Sequence, residues 1–259
     1  MPKLMDAGTM MNGVIGGMQN FQFSGVRTEH LGATEYTAVS IIVDVTGSVM
    51  GFENDLRNTL IAAVEACKKS PRSNNLLLRT AIFSTTQPGH VNELHGFKPL
   101  VDIDPNIDYQ PFRPGGTTPL YDATYSAVGA TVAYCERLMK DDFLANGIIF
   151  IVTDGCECPE PPYNPSTATP TMIKNEIRNA VAMEKLESLV TVLIGINAQN
   201  YRAELVNFQN EAGIDKYIDA GDATKGKLAK LAEFVSQSVS SQSQALGTGG
   251  PSQNIAAVI

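Results

Sequence analysis

Four short apolar runs punctuate the chain: VSIIVD at 39–44, LLLRTAIF at 76–83, GIIFIVT at 147–153 and LVTVLIGI at 189–196. Each is nearly unbroken in apolar character and rich in β-branched residues. That is the pattern of strands covered on both faces, so all four are expected centrally in a parallel sheet. Between them the apolar positions switch to helical spacing. Leu56, Leu60, Val64 and Cys67 share one face of a first helix, and Ala127, Val128, Thr131, Val132, Cys135, Leu138 and Met139 one face of a second. The first helix opens with Glu53 and Asp55 and closes on KKSPR, so its charges suit the helix dipole and its proline supplies a stop. Further helices are expected at about 171–185, 200–212 and 225–240. A weaker run, VNELHGF at 91–97, follows the second strand closely enough to return as an antiparallel edge strand, and IDKYID reads as a weak strand. The alternation predicts a Rossmann-like α/β fold, a doubly wound, mostly parallel sheet with one antiparallel edge strand.

The two ends read differently from the middle. Residues 1–36 hold five of the nine methionines (Met1, Met5, Met10, Met11 and Met18) and several glycines, and are expected to form an N-terminal arm. The domain proper is placed at 37–240, and the polar, glycine-containing stretch 241–259 is expected to be a flexible C-terminal tail with a short apolar finish.

Composition narrows the partners. The 259 residues are 43% hydrophobic and 18% charged, a balance that suits one ordinary domain with flanking segments. With 27 acidic against 19 basic side chains the net charge is −8, which repels polyphosphates and anionic bilayers, so neither nucleic acid nor membrane is an expected partner. No apolar run approaches the roughly 20 residues needed to cross a bilayer, and Asp6 and several glycines interrupt the N-terminal stretch. Neither signal peptide nor anchor is expected. Four cysteines, two of them inside helical patterns, do not make a disulfide framework, and a reducing cytoplasm is the expected location.

In an open α/β sheet, the polar residues just past the carboxyl ends of parallel strands gather at one edge. Three strings supply that edge. IIVDVTGSV places Asp44, Thr46 and Ser48 at every second position after a strand, so in extended chain their oxygens point the same way. RPGGTTPLYDA sets Thr117 and Thr118 behind two glycines, and IFIVTDG ends a strand on Asp154. Two carboxylates and several hydroxyls, with no histidine among them, suit a hard divalent cation. Mg²⁺ is the natural choice, with Mn²⁺ or Ca²⁺ as substitutes. Two acids leave its shell incomplete, and a carboxylate from another protein is well suited to the open position.

DVTGS, the GGT of PGGTTPL and the TDG of IVTDG resemble the three segments of the metal-ion-dependent adhesion site (MIDAS) in von Willebrand factor A (VWA) domains, over about residues 37–240. By that resemblance Asp44, Thr46, Ser48, Thr117 and Asp154 hold the metal, directly or through water. Thr46 stands where the family usually has serine, and Thr118 is the alternative to Thr117. The resemblance implies a protein-interaction module rather than an enzyme. It points to an intracellular bacterial or phage-type member, working in a larger assembly, beside an AAA+ ATPase or as a homo-oligomer.

Other readings are thinner. DVTGSV also looks like the Asp-x-Thr-Gly-Thr loop of haloacid-dehalogenase-type phosphotransferases and P-type ATPases, with Asp44 as the nucleophile. That chemistry needs a neutralising lysine and usually a second acidic pair, whereas TDG carries one aspartate, GDATKGK follows only a weak strand, and the GGT loop would have no role. There is no GxxxxGK[ST] loop, no GxGxxG turn after a strand, and no nucleophile elbow around Ser48. His30, His90 and His95 sit in no triad-like string. Cys156 and Cys158, one residue apart, cannot complete a zinc site and read as reduced loop thiols. Glu157 and Glu160 are close enough in sequence to reach an ion through water but read first as solvated acids, and the proline-rich stretch around Glu160 is expected to shape the partner surface.

Overall fold

The computed structural model describes residues 9–15, 18–158 and 166–249. The first eight residues of the expected arm, Glu160 with its proline-rich surroundings, and the tail from 250 lie outside the described residues.

Each apolar run becomes a strand. The strands are β1 (Met10–Ile15), β2 (Met18–Val26), β3 (Glu35–Asp44), β4 (Leu76–Phe83), β5 (Val91–Pro99), β6 (Leu144–Thr153), β7 (Leu189–Gly195) and β8 (Lys216–Asp219). The helices are α1 (Glu53–Lys68), α2 (Pro105–Asp108), α3 (Leu120–Lys140), α4 (Pro170–Ala182), α5 (Arg202–Ala212) and α6 (Lys225–Gly247). Among the described residues the strands form one sheet in the order β1-β2-β5-β4-β3-β6-β7-β8. β3 runs parallel to β4 on one side and to β6 on the other, and β7 and β8 continue in parallel. β5 returns antiparallel to β4, as VNELHGF suggests. It is not the last strand on that side. β2 pairs with it in parallel at Gly25 and Phe97, and β1 ends the sheet antiparallel to β2. β1 and β2, inside the stretch read as an arm, therefore extend the sheet, because Ile15, Phe21, Phe23 and Val26 bury their side chains in its core.

Alternation along the central strands loads both faces. On β3, Ala38 and Ile42 join a core with α3, α4 and α5, whereas Val39, Ile41 and Val43 join a second core with α1 and α6. β6 divides in the same way, Ile149 and Ile151 against Ile148 and Phe150. This two-sided burial is why the strands read as continuous apolar runs.

α3 passes through the first core with most of its side chains buried. At Gly129 it lies so close to β1 that a Cβ would overlap Cγ2 of Ile15, and the missing side chain lets the two elements touch. α6 runs on to Gly247, through residues read as the start of the tail. Several of its polar side chains are covered: Ser236, Ser238, Gln242 and Ser243 are buried, Ser240 bonds Ser70 at 2.9 Å, and the Asn146 amide donates to the Gln242 carbonyl at 3.2 Å. Among the described residues, no helix is long and apolar enough to cross a membrane.

Candidate metal centre

Asp44 is the last residue of β3, and its side chain is fully buried where the strand leaves the sheet. Both of its carboxylate oxygens are engaged. The Thr46 N–H donates to Oδ1 at 2.8 Å, turning the chain back on itself, and the Thr153 hydroxyl donates to Oδ2 at 2.7 Å from the end of β6. Ser48 is exposed, and its hydroxyl donates to Oδ1 of Asp154 at 2.8 Å. Thr46 and Ser48 hydroxyls lie 2.9 Å apart, and since the Ser48 proton is committed to Asp154, Thr46 is the donor of that pair. Asp44, Thr46, Ser48 and Asp154 thus form one oxygen cluster at the carboxyl edge of β3 and β6.

The loop with Thr117 is tied to this cluster by main chain. The Gly47 N–H donates to the Gly116 carbonyl at 3.1 Å and the Gly115 N–H to the Val45 carbonyl at 3.0 Å. Gly116 sits at φ +72°, and a Cβ there would stand 2.6 Å from Oγ1 of Thr85, so glycine is needed on both counts. The third loop joins the second through the Cys158 N–H, which donates to the Thr118 carbonyl at 2.7 Å. Thr117 is half-buried and Thr118 buried.

Glu157 serves a different purpose from the water-mediated ligand the sequence allows. Its carboxylate accepts the Tyr121 N–H at 2.8 Å and the Ser166 N–H at 3.0 Å, which caps the start of α3 and pins the loop after β6 to it. Burial pushes its carboxyl upward, against those two bonds. Asp122 adds a second anchor, accepting from the Thr167 and Ala168 N–H groups at 2.9 and 2.7 Å and pairing with His90 Nδ1 at 2.6 Å.

Sequence reasoning missed two residues here. Thr153 orients Asp44, and Thr85, just past β4, accepts the Thr117 N–H at 2.9 Å and lies 3.2 Å from its hydroxyl. Both look like ordinary strand-end threonines. The available signal was position: β4 is parallel to β3 and delivers its own loop, FSTT, to the same edge.

The electrostatics favour a cation. Burial above all, and then the charge of Asp154, pushes Asp44 up to about 7, while the bonds from Thr46 and Thr153 hold it down. Asp154 is raised by burial against the Ser48 bond. Among the described residues no lysine, arginine or histidine pairs with either acid. Nor does any group of three or more His, Cys, Asp or Glu side chains suited to a metal occur among them. The donors are two carboxylates and hydroxyls, a set that fits a hard ion keeping part of its water and not a zinc-type cage.

No family model matches the chain, and no curated protein sequence does. Solved structures do. A point mutant of the PilB minor pilin from Streptococcus sanguinis superposes with a TM-score of 0.56 at 14% identity, covering 87% of this chain and 66% of the pilin. The vWF domain of the type V pili tip protein Mfa5 from Porphyromonas gingivalis gives 0.50 at 10% identity, covering 87% of this chain and 99% of that domain. Proximal thread matrix protein 1 from the mussel byssus, solved with a zinc-occupied MIDAS motif, gives 0.50 at 18% identity, covering 79% of this chain. This chain spans only 46% of the byssus protein. Identities this low speak for architecture alone, and the architecture is the α/β fold of the von Willebrand factor A domain.

Proposed function

We propose that this chain is a metal-dependent protein-interaction module that works without catalysis. The observation that carries the reading is the single oxygen cluster of Asp44, Thr46, Ser48 and Asp154, solvent-facing at Ser48, with the Thr117 loop bonded to it. Two acids held together without a bonded base are short of positive charge, which a divalent ion would supply. Mg²⁺ is the ion of choice, with Mn²⁺ or Ca²⁺ as substitutes, held by Asp44, Thr46, Ser48, Thr117 and Asp154. Each Asp44 oxygen accepts one hydrogen bond and keeps a second lone pair, so Asp44 meets the ion directly or through water in this reading. Few formal charges keep the ion electrophilic, and an Asp or Glu from the partner completes its shell. The zinc-occupied motif of the byssus neighbour lends support for a divalent ion at this place in the fold.

The setting we propose is a cytoplasmic assembly, since Cys67, Cys135, Cys156 and Cys158 form no disulfide among the described residues, which suits a reducing compartment. The partner is an assembly component, an AAA+ ATPase or a second copy of the chain, presenting an exposed carboxylate. The aspartyl-phosphate alternative has no support: Asp44 is fully buried, and among the described residues no lysine pairs with it to neutralise a phosphoryl group.

The reading is tested by capturing partners on the immobilised full chain in Mg²⁺, in EDTA, and with Asp44→Ala. Partners held in Mg²⁺ should be lost in the other two arms. The same partners in all three would refute the metal bridge.

A further inference from the structure

The loop after β4 belongs to none of the three strings that make the centre, yet it grips one of the proposed ligands from both sides. The Thr85 N–H donates to the Thr117 carbonyl at 3.1 Å, Thr85 Oγ1 accepts the Thr117 N–H at 2.9 Å, and the two hydroxyl oxygens lie 3.2 Å apart. We infer that Thr85 is a positioning residue: it makes Thr117, and not Thr118, the threonine that meets the metal, and it accepts the Thr117 hydroxyl proton when that oxygen turns a lone pair to the ion. The inference rests on the metal reading above.

A neutral hydroxyl that ligates a cation keeps its proton, which the cation makes more acidic and which must point away from it toward an acceptor. Thr85 Oγ1 already accepts one N–H and keeps a second lone pair, 3.2 Å from the Thr117 hydroxyl oxygen. Among the described residues Thr118 has no such arrangement. Its side chain is buried, and its carbonyl is bound to the Cys158 N–H. The rival acceptor is the Cys158 thiol, which also contacts the Thr117 side chain. Sulfur is the weaker acceptor, and Thr85 reaches both the main chain and the hydroxyl of Thr117. Gly116 is part of the same device, because any side chain there would strike Thr85 Oγ1.

Calorimetric titration of Mg²⁺ into EDTA-stripped full chain tests this, comparing wild type, Thr85→Val, Thr85→Ser and Cys158→Ala, with melting temperatures of the stripped proteins alongside. Thr85→Val keeps the shape and removes the acceptor, so Mg²⁺ affinity should fall by about tenfold or more, as for other groups that orient a metal ligand. Thr85→Ser should restore affinity to within about twofold, Cys158→Ala should leave it there, and the stripped melting temperatures should stay within a few degrees. Wild-type affinity in Thr85→Val overturns the inference, as does a loss that serine does not rescue or a loss in Cys158→Ala instead. If Thr85→Val does not fold, Thr85→Ala carries the same comparison. Absence of Mg²⁺ binding by wild type removes the metal reading itself, and the wild-type arm alone reports it.

Discussion

Ser48 links the candidate centre, since its hydroxyl accepts a hydrogen bond from Thr46 of its own loop and donates one to Asp154 at the end of β6. Residues of this kind were legible in the sequence because their spacing carried information: period-two polar positions after a buried strand have few other uses. Thr85 and Thr153 were not, because a lone β-branched hydroxyl beside a strand is chemically indistinct until its partner is known. His95 shows the same limit away from the centre. Buried in β5, its Nδ1 lies 3.0 Å from the Gly96 carbonyl and its Nε2 2.9 Å from the Tyr109 hydroxyl, so the ring is neutral, donating through Nδ1 and accepting through Nε2. Burial, foremost, lowers it to about 4 from an ordinary value of 6.5. A base depressed on folding contributes stability that is complete above the unfolded value and lost as pH falls through the folded one. The His95 contribution, read as the difference in urea unfolding free energy between wild type and His95→Gln, should therefore fall between pH 6.5 and about 4 by at most about 1.4 kcal/mol per pH unit, while the raised Asp44 carboxyl acts with the opposite sign in both proteins. An identical pH dependence in His95→Gln would remove this assignment.

Among elements, the central strands and their helices could be read because each carries one clear period. The failures fall where the period is diluted. β1 and β2 are interrupted by glycines and methionines, and tertiary contacts hold them to α3: Ile15 against Gly129, Phe21 against the Tyr125 ring, and the Tyr134 hydroxyl donating to the Val26 carbonyl at 2.9 Å. The end of α6 has a polar composition, yet Arg72 pairs with Glu35 and bonds Ser243 there, and those contacts outweigh the weak local preference of a Ser- and Gln-rich segment. The α3–β1 contact gives a direct test. Gly129→Ala places a methyl group into Ile15, and overpacking of this sort costs about 1–3 kcal/mol despite the better helix propensity of alanine. A clear fall in melting temperature is expected, whereas an increase would mean that β1 yields and the helix gains.

At the level of the molecule, sequence patterning conveyed the architecture and the edge where polar loops collect, but not the length of the sheet. The net charge of −8 bears on metal as well as on partners, since a cation is drawn to an acidic chain. A ligand that binds only the folded state stabilises it by mass action, about 2.7 kcal/mol at a hundredfold excess over its dissociation constant. Scanning calorimetry should accordingly show the melting temperature of the stripped chain rising by several degrees in saturating Mg²⁺. It should not rise in NaCl of matched ionic strength, nor in Asp44→Ala. The main-chain ties among the loops carry a kinetic corollary. Gly47 is bonded to Gly116, Gly115 to Val45 and Cys158 to Thr118 by contacts that need no ion. On the metal reading proposed above, a socket finished by folding asks for no chain rearrangement when its occupant arrives, so entry of the ion is limited by how fast the cation sheds water rather than by loop motion.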